Sequence, residues 1–240
     1  MDLNRHKFLM MQILKDIYSD AMLASVLGFK GGTALMFFYQ LPRFSVDLDF
    51  NLLDVSKQEE VFKLVRGILL KYGKIHDEAI KFYGPLLVLD YGAGERKLKV
   101  EISNRQYDNH YEWRNLLGIN IRVMTEADMF AHKLCALLDR TETTNRDIFD
   151  CWFFLNRRTP INRQIVESRM GTSLEAYLLR CIQSLQQMPS RSLLNGLGEL
   201  TDASTKAFVR NKLLPETIQL LQLFQALQYF HQYTLLSCLL

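Results

Sequence analysis

The chain lacks the marks of a secreted, membrane-spanning or metal-clustered protein. Its four cysteines, Cys135, Cys151, Cys181 and Cys238, include no Cys-x-x-Cys pair. That scatter argues against zinc and disulfides and for buried free thiols in a reducing compartment. Long apolar runs are missing too: the uncharged segment after Glu216 is interrupted by Gln219, Gln222, Gln225, Gln228 and Gln232 too often for a membrane span. Asp2, Arg5, His6 and Lys7 precede the first apolar stretch, so neither a signal peptide nor a membrane location is expected, and the reading is cytoplasmic. Strong charge of one sign is absent. A net charge of +3 permits a nucleic acid partner but falls short of a dedicated duplex binder. No internal repeat or low-complexity linker divides the chain. With 240 residues, 48% of them apolar and 23% charged, it can bury a substantial core as one large domain or two small ones.

What is present is concentrated between Phe29 and Leu53, in FKGGTALMFFYQLPRFSVDLDFNLL. Gly31 and Gly32 lack the Cβ atoms that would keep a triphosphate from the backbone, and Thr33 adds a hydroxyl donor where a helix begins. Strand side chains alternate, so Ser45, Asp47 and Asp49 are expected to form a polar row, with Val46, Leu48 and Phe50 on the opposite, apolar face. Close carboxylates repel unless a cation sits between them. Mg²⁺ favours few carboxylates plus substrate phosphates, which a glycine turn beside an Asp-x-Asp strand would supply. Further on, KLKVEIS alternates Leu98, Val100 and Ile102 with Lys97, Lys99, Glu101 and Ser103, so Glu101 points from one face of a strand whose other face is apolar.

GGTAL followed by R-x-S-x-D-x-D-F resembles the AbiEii/AbiGii-type toxins of the DNA polymerase β-like nucleotidyltransferase superfamily. Either half alone is weak; in this order and spacing they are specific. The resemblance covers roughly residues 25 to 156. It implies a nucleotidyltransferase fold: an α+β protein with a mixed sheet flanked by helices (1–124), then an all-helical region carrying later motifs (125–240). It also implies Glu101 as a third acid beside the Asp47 and Asp49 metal ligands. KLCALLDR followed by RDIFD looks like the family's later motifs, which makes Lys133 a triphosphate ligand and Asp147 a supporting acid, with Asp150 undecided. Arg43 and Ser45 are either phosphate contacts or supports of the turn. The implied chemistry is transfer of NMP from an NTP to an acceptor hydroxyl with two Mg²⁺ ions. Related toxins add nucleotides to tRNA acceptor ends and are encoded beside an antitoxin. Other readings are a small-molecule, antibiotic-type nucleotidyltransferase and a catalytically degenerate binding module.

Around these motifs the periodicity predicts a helix over 3 to 26 closed by Gly28, with Leu9, Ile13 and Ile17 stacked and Leu14, Tyr18 and Ala21 beside them. It predicts further helices over 33 to 40 and 57 to 72, the latter ended by Gly73, and strands over 46 to 53, 74 to 82, 86 to 91, 97 to 103 and 119 to 123. Thr125 to Asp128 reads as a capping box and Asn145 as a helix cap. Arg105, Tyr107, Tyr111, Trp113 and Arg114 combine cations with flat rings, which suits stacking of single-stranded RNA or simply the polar edge of a loop. Helices are expected over 162 to 170 and 174 to 187, and from Pro215 onward. There, Leu220, Leu223, Phe224, Leu227 and Phe230 form a stripe that is either core or a docking face.

Overall fold

The computed structural model describes residues 2–139, 144–188 and 194–237, with side chains as far as 228. Arg140, Pro189, Cys238 and the Phe230 side chain therefore lie outside the described residues. The chain forms two compact units, Met1–Thr125 and Glu126–Leu240.

The first unit contains α1 (Leu3–Ser19), α2 (Ala21–Val26), β1 (Leu27–Lys30), α3 (Gly31–Phe38), β2 (Leu48–Leu52), α4 (Gln58–Leu69), β3 (Lys74–Lys81), β4 (Gly84–Asp90), β5 (Leu98–Ser103), β6 (Tyr111–Leu116) and β7 (Ile119–Met124). The strands form one sheet in the order β3-β4-β5-β2-β1-β7-β6. Two pairings, β1 with β7 and β2 with β5, are parallel; the others are antiparallel. This is the expected mixed sheet with flanking helices, an α+β architecture. Leu48, Phe50, Leu98, Val100 and Ile102 are fully buried, so the apolar rows of β2 and β5 face the core as their alternation predicts.

Several local expectations change for identifiable reasons. Asp20 splits the first helix: it leaves the helical region and its carboxylate accepts the Leu23 amide, ending α1 and capping α2. Ala21, placed beside the buried stripe by periodicity, is exposed as a result. Gly28 is not a helix end but a residue of β1, where the Tyr111 ring fills the space a Cβ would need. Strand β2 begins at Leu48, so Asp47 just precedes it. The segment around Tyr111 is a strand, β6, rather than a loop. As an edge strand paired only with β7 it buries neither face fully, which removes the alternation that reveals a strand.

The second unit is helical among its described residues: α5 (Glu126–Asp139), α6 (Asn145–Asn156), α7 (Arg163–Met170), α8 (Leu174–Gln186), α9 (Ala203–Asn211) and α10 (Leu213–Ser237). Phe130 stacks on Phe154 with ring centroids 5.1 Å apart, and the buried Tyr177 hydroxyl donates to the Cys135 carbonyl at 2.8 Å. Cys135, Cys151 and Cys181 are free and buried, and burial pushes their thiols up, which makes them inert fillers of the core. Thr144, not Asn145, caps α6 through the Asp147 amide; Asn145 instead donates its side-chain amide to the Asn195 carbonyl. Among the described side chains of α10 the buried residues are Leu213, Leu214, Thr217 and Leu221, whereas Leu223 and Leu227 are exposed. A helix rich in leucine on several faces does not disclose by periodicity which face is covered.

The contact between Gly28 and Tyr111 gives a direct test of the sheet. Tyr111 cannot swing away freely, because its hydroxyl accepts from Asn51 Nδ2 at 2.7 Å. Gly28→Ala should lower unfolding stability by about 1–3 kcal/mol, the usual cost of overpacking. Adding Tyr111→Ala should remove that increment. Urea denaturation of the single and double variants measures both, and an unchanged midpoint in Gly28→Ala would mean that the ring moves without penalty.

Candidate active site

The site in the first unit is built where β1, β2 and β5 run side by side. Register pairs Lys30 with Asp49 across β1 and β2, and Asp49 with Glu101 across the parallel β2 and β5. The half-buried carboxylates of Asp49 and Glu101 are therefore neighbours on one face. Gly31 follows β1 with φ 82°, in the left-handed region that glycine adopts without strain. The Asp49 carboxylate packs where a Gly31 Cβ would be. At Gly32 a Cβ would lie 2.7 Å from Ser45 Oγ and 2.9 Å from the Arg43 guanidinium. The glycine pair was expected to leave room for a triphosphate; here the freed space is filled by Asp49, Ser45 and Arg43 of the chain itself. Its local effect is to let the acidic segment close against the turn. Arg43 and Ser45 are both buried there, and Arg43 also donates to the Phe44 carbonyl at 3.0 Å.

Thr33 departs from its expected part in a similar way. It is fully buried, and its hydroxyl donates to the Asp47 carbonyl instead of facing a phosphate. One residue earlier, the buried His6 donates from Nε2 to the Val46 carbonyl at 2.9 Å, while its Nδ1 meets the Tyr91 hydroxyl at 2.7 Å. Burial lowers the His6 pKa and so favours the neutral ring, which satisfies both bonds with its proton on Nε2. Thr33 and His6 thus fix the backbone on which Asp47 is carried. Nothing in the glycine or Asp-x-Asp motifs pointed to His6, since it enters from α1.

Electrostatics single out Lys99, which the sequence shows only as a cation two residues from Glu101. Its ammonium lies 3.1 Å from Glu101 Oε2. Burial opposes its charge, but Asp49, Glu101 and Asp47 together raise its pKa. Burial would raise Glu101 as well; Lys99, assisted by Lys30 and Arg105, outweighs it and holds that carboxyl below its ordinary value. Asp49 goes the other way. Burial pushes it up, Asp47 and Glu101 add repulsion, and Lys99 and Lys30 offset only part.

This donor set fits a hard divalent cation. Among the described residues no group of three or more acidic, His or Cys side chains forms a ready-made cage. Mg²⁺ does not require one, because it is commonly held by one or two carboxylates together with substrate phosphates. Burial is the main cause that raises Asp49; the smaller repulsion from Asp47 and Glu101 is the part that a bound cation would relieve.

In the second unit, Lys133 on α5 reaches Asp150 at 2.8 Å and Asp147 at 3.5 Å. Both carboxylates are buried, and Thr144 Oγ1 donates to Asp147 at 2.6 Å. Lys133 is therefore the counter-charge of two buried acids. Of the aromatic and cationic residues that suited either RNA stacking or a polar loop edge, several are engaged within the first unit. Tyr111 covers Gly28, Arg122 lies over the Trp113 ring at 4.8 Å, and Arg114 pairs with Glu112 at 2.7 Å.

The mixed sheet with its flanking helices has the fold of the nucleotidyltransferases. It superimposes on JHP933 of Helicobacter pylori with a TM-score of 0.64 and 21% identity, over 99% of this chain and 98% of that one. It also superimposes on MenT4, a nucleotidyltransferase toxin of Mycobacterium tuberculosis, with a TM-score of 0.61 and 19% identity, over 92% and 84%. No curated protein matches the chain in sequence. The model of the nucleotidyl transferase AbiEii toxin family, of type IV toxin–antitoxin systems, matches residues 12–225, and the chain belongs to that family. The match extends well beyond the stretch over which the sequence motifs are recognisable. Membership makes the protein a toxin-family nucleotidyltransferase, with an NTP as substrate and an antitoxin as counterpart. No helix among the described residues is long and apolar enough to cross a membrane.

Two consequences of the site's charges are measurable. Asp49 holds its proton more tightly folded than unfolded, so in the interval above the ordinary carboxylate pKa the folded state binds more protons, and stability falls as pH rises through it. In metal-free buffer, Asp49→Asn should unfold at a higher temperature than the parent at pH 7.5, the difference closing below pH of about 4. Calorimetric scans across that range test it, and a variant no more stable at pH 7.5 would mean that Lys99 fully offsets the burial. Conversely, Lys133→Ala strands two buried carboxylates and should cost about 3–5 kcal/mol. Lys133→Ala combined with Asp147→Asn and Asp150→Asn should recover most of this in urea denaturation; a stable single variant would contradict the pairing.

Proposed function

We propose that the protein transfers NMP from an NTP to an acceptor hydroxyl in a Mg²⁺-dependent reaction, as the toxin of a toxin–antitoxin pair acting in the cytoplasm. In this reading residues 1–124 are the nucleotidyltransferase core and residues 125–240 carry the later motifs. The observation that supports it most directly is the register that sets Asp49 beside Glu101 and against Gly31. An acidic cluster beside a left-handed glycine at a helix start is suited to a substrate that brings both phosphate and cation. Asp47, Asp49 and Glu101 would hold two Mg²⁺ ions, which when bound neutralise phosphate charge and acidify the attacking hydroxyl.

The chain's own groups account for the remaining requirements. The start of α3 at Gly31 and Gly32 presents backbone N–H groups to the triphosphate. Arg43 and Ser45 brace that turn from beneath. Asp49 and Glu101, side by side on β2 and β5, are the carboxylates best placed to help deprotonate the acceptor hydroxyl. The acceptor oxygen bonds to the α-phosphorus, the bond from that phosphorus to the bridging oxygen of pyrophosphate breaks, and the hydroxyl proton passes to solvent. Lys133 contributes a point charge to the β- or γ-phosphate, with Asp147 holding it in place. The family's resemblance to toxins that modify tRNA supports the 3′ end of an RNA as acceptor.

Calorimetric titration tests the central claim. ATP, GTP, CTP and UTP in turn should include at least one that binds only with Mg²⁺ present. Asp47→Ala and Asp49→Ala should each abolish that binding. Transfer of labelled nucleotide to total tRNA should fall at least about a hundredfold in both, as expected when charge stabilisation of the transition state is lost. Equal NTP affinity with and without Mg²⁺ would reject the metal-dependent reaction, and labelling of a small molecule in place of tRNA would reject the RNA acceptor.

A further inference from the structure

The two residues that join β3 to β4, between the paired Lys81 and Gly84, are Phe82 and Tyr83. A connection this short ordinarily selects glycine, asparagine or aspartate. Here the left-handed backbone falls on Gly84, with φ 111°, whose absent Cβ leaves space for the Ile102 carbonyl. Turn chemistry therefore has no need of two aromatic rings. Both are set in solvent, Phe82 at 87% and Tyr83 at 55% exposure.

Their backbone is nevertheless held firmly. The Asn104 amide donates to the Tyr83 carbonyl at 3.0 Å, and Asn104 Nδ2 donates to the Phe82 carbonyl at 3.3 Å and to Gln58 Oε1 at 3.0 Å. The rings meet edge to face with centroids 4.9 Å apart, and the Arg105 guanidinium lies 4.7 Å from the Tyr83 centroid. A cleft of about 330 Å³ leads from this pair past Lys81 to Lys99 and Glu101. An apolar surface displayed on a fixed turn beside an acidic site is the usual sign of a ligand face.

Its side of the sheet says which ligand. Across the strands the order is the glycine turn after β1, Asp49 on β2, Glu101 on β5, and then β4 with the aromatic turn. Displacement at phosphorus sets the attacking and leaving oxygens roughly in line. With the pyrophosphate at the glycine turn, an acceptor in line with it would enter from the β4 side. Flat rings suit the faces of unpaired bases, and Lys81, Lys99 and Arg105 suit the phosphates that link them.

We propose that Phe82, Tyr83 and Arg105 form the acceptor subsite, stacking the unpaired terminal base of a single-stranded RNA so that its end hydroxyl lies in the cleft beside Glu101. The assignment rests on the nucleotidyl transfer reading above. The test uses the full-length protein, a fluorescein-labelled unstructured RNA octamer with a free 3′ hydroxyl, and fluorescent analogues of ATP, GTP, CTP and UTP in turn, with Mg²⁺. Combining Phe82→Ala with Tyr83→Ala should weaken RNA binding, measured by anisotropy, by about tenfold or more, since each lost stack is worth about fivefold at least. Analogue affinity should stay within about twofold, and Phe82→Trp should retain RNA binding. The subsite is overturned if the double variant binds RNA as the parent does, or if it loses RNA and nucleotide alike. A parent that binds nucleotide but no RNA overturns the subsite alone; a parent that binds neither overturns the transfer reading as well. Labelling of a protein that depends on these two rings, with none of RNA, also rejects the proposal.

Discussion

The confinement of carboxylates on one face of β2 and β5 is the constraint around which the first unit is arranged. Register fixes Asp49 opposite Glu101, and the left-handed Gly31 brings the start of α3 against the same acid. Such a cluster is costly in isolation, because burial and like charge both disfavour ionised carboxylates. The chain meets part of that cost with Lys99, and the two acids divide accordingly: Glu101 is lowered by its contact with Lys99, while Asp49 remains raised. Burial is the main cause of that rise, and repulsion from Asp47 and Glu101 adds a part that a cation would relieve. A functional site that is electrostatically unfinished on its own, yet rigidly supported, fits chemistry in which the substrate brings the missing charges.

The supports lie outside the acids themselves. Thr33 fixes the Asp47 carbonyl from the helix that follows the glycines, and His6 fixes the neighbouring Val46 carbonyl from α1. An acid whose backbone is held on both sides keeps its direction when the local charge changes. The second unit solves a comparable problem differently. There the buried Asp147 and Asp150 are compensated within the fold by Lys133, supplemented at Asp147 by Thr144. If Lys133 also binds phosphate, its ammonium serves two masters. A loss of activity on removing it then mixes a lost ligand with two stranded buried charges, so its catalytic share is legible only in a background where Asp147 and Asp150 are neutral.

How much of this could be read in the sequence follows from how far each signal reaches along the chain. The alternation in KLKVEIS and that around Asp49 each lie within one strand, and their apolar rows are buried as it predicts, whereas Asp47 falls just before β2. Strands with one buried face are legible in this way; β6, an edge with neither face fully buried, was not. Helix caps failed by a single residue at Thr144, and Asp20 broke a helix whose apolar stripe ran on past it, because a cap is a local hydrogen bond that periodicity does not register. Long-range partners were the least visible. His6 reaches Val46, and Tyr111 covers Gly28, across separations that no motif encodes.

Glycine roles follow the same logic. The sequence shows that a Cβ is missing at Gly31 and Gly32 but not what occupies the vacated space, and here the occupants are Asp49, Ser45 and Arg43. A glycine-rich turn beside acids therefore has two physical uses that look identical in sequence. One admits a ligand to the backbone; the other admits the chain's own acids to the turn. The second is seen directly here, and it bears on the first, because an acid packed on the glycine lies within reach of whatever the turn binds. The close approach that brings Asp49 to Gly31 thus joins the acid and the turn in one unit, and a side chain at Gly31 would disturb both together.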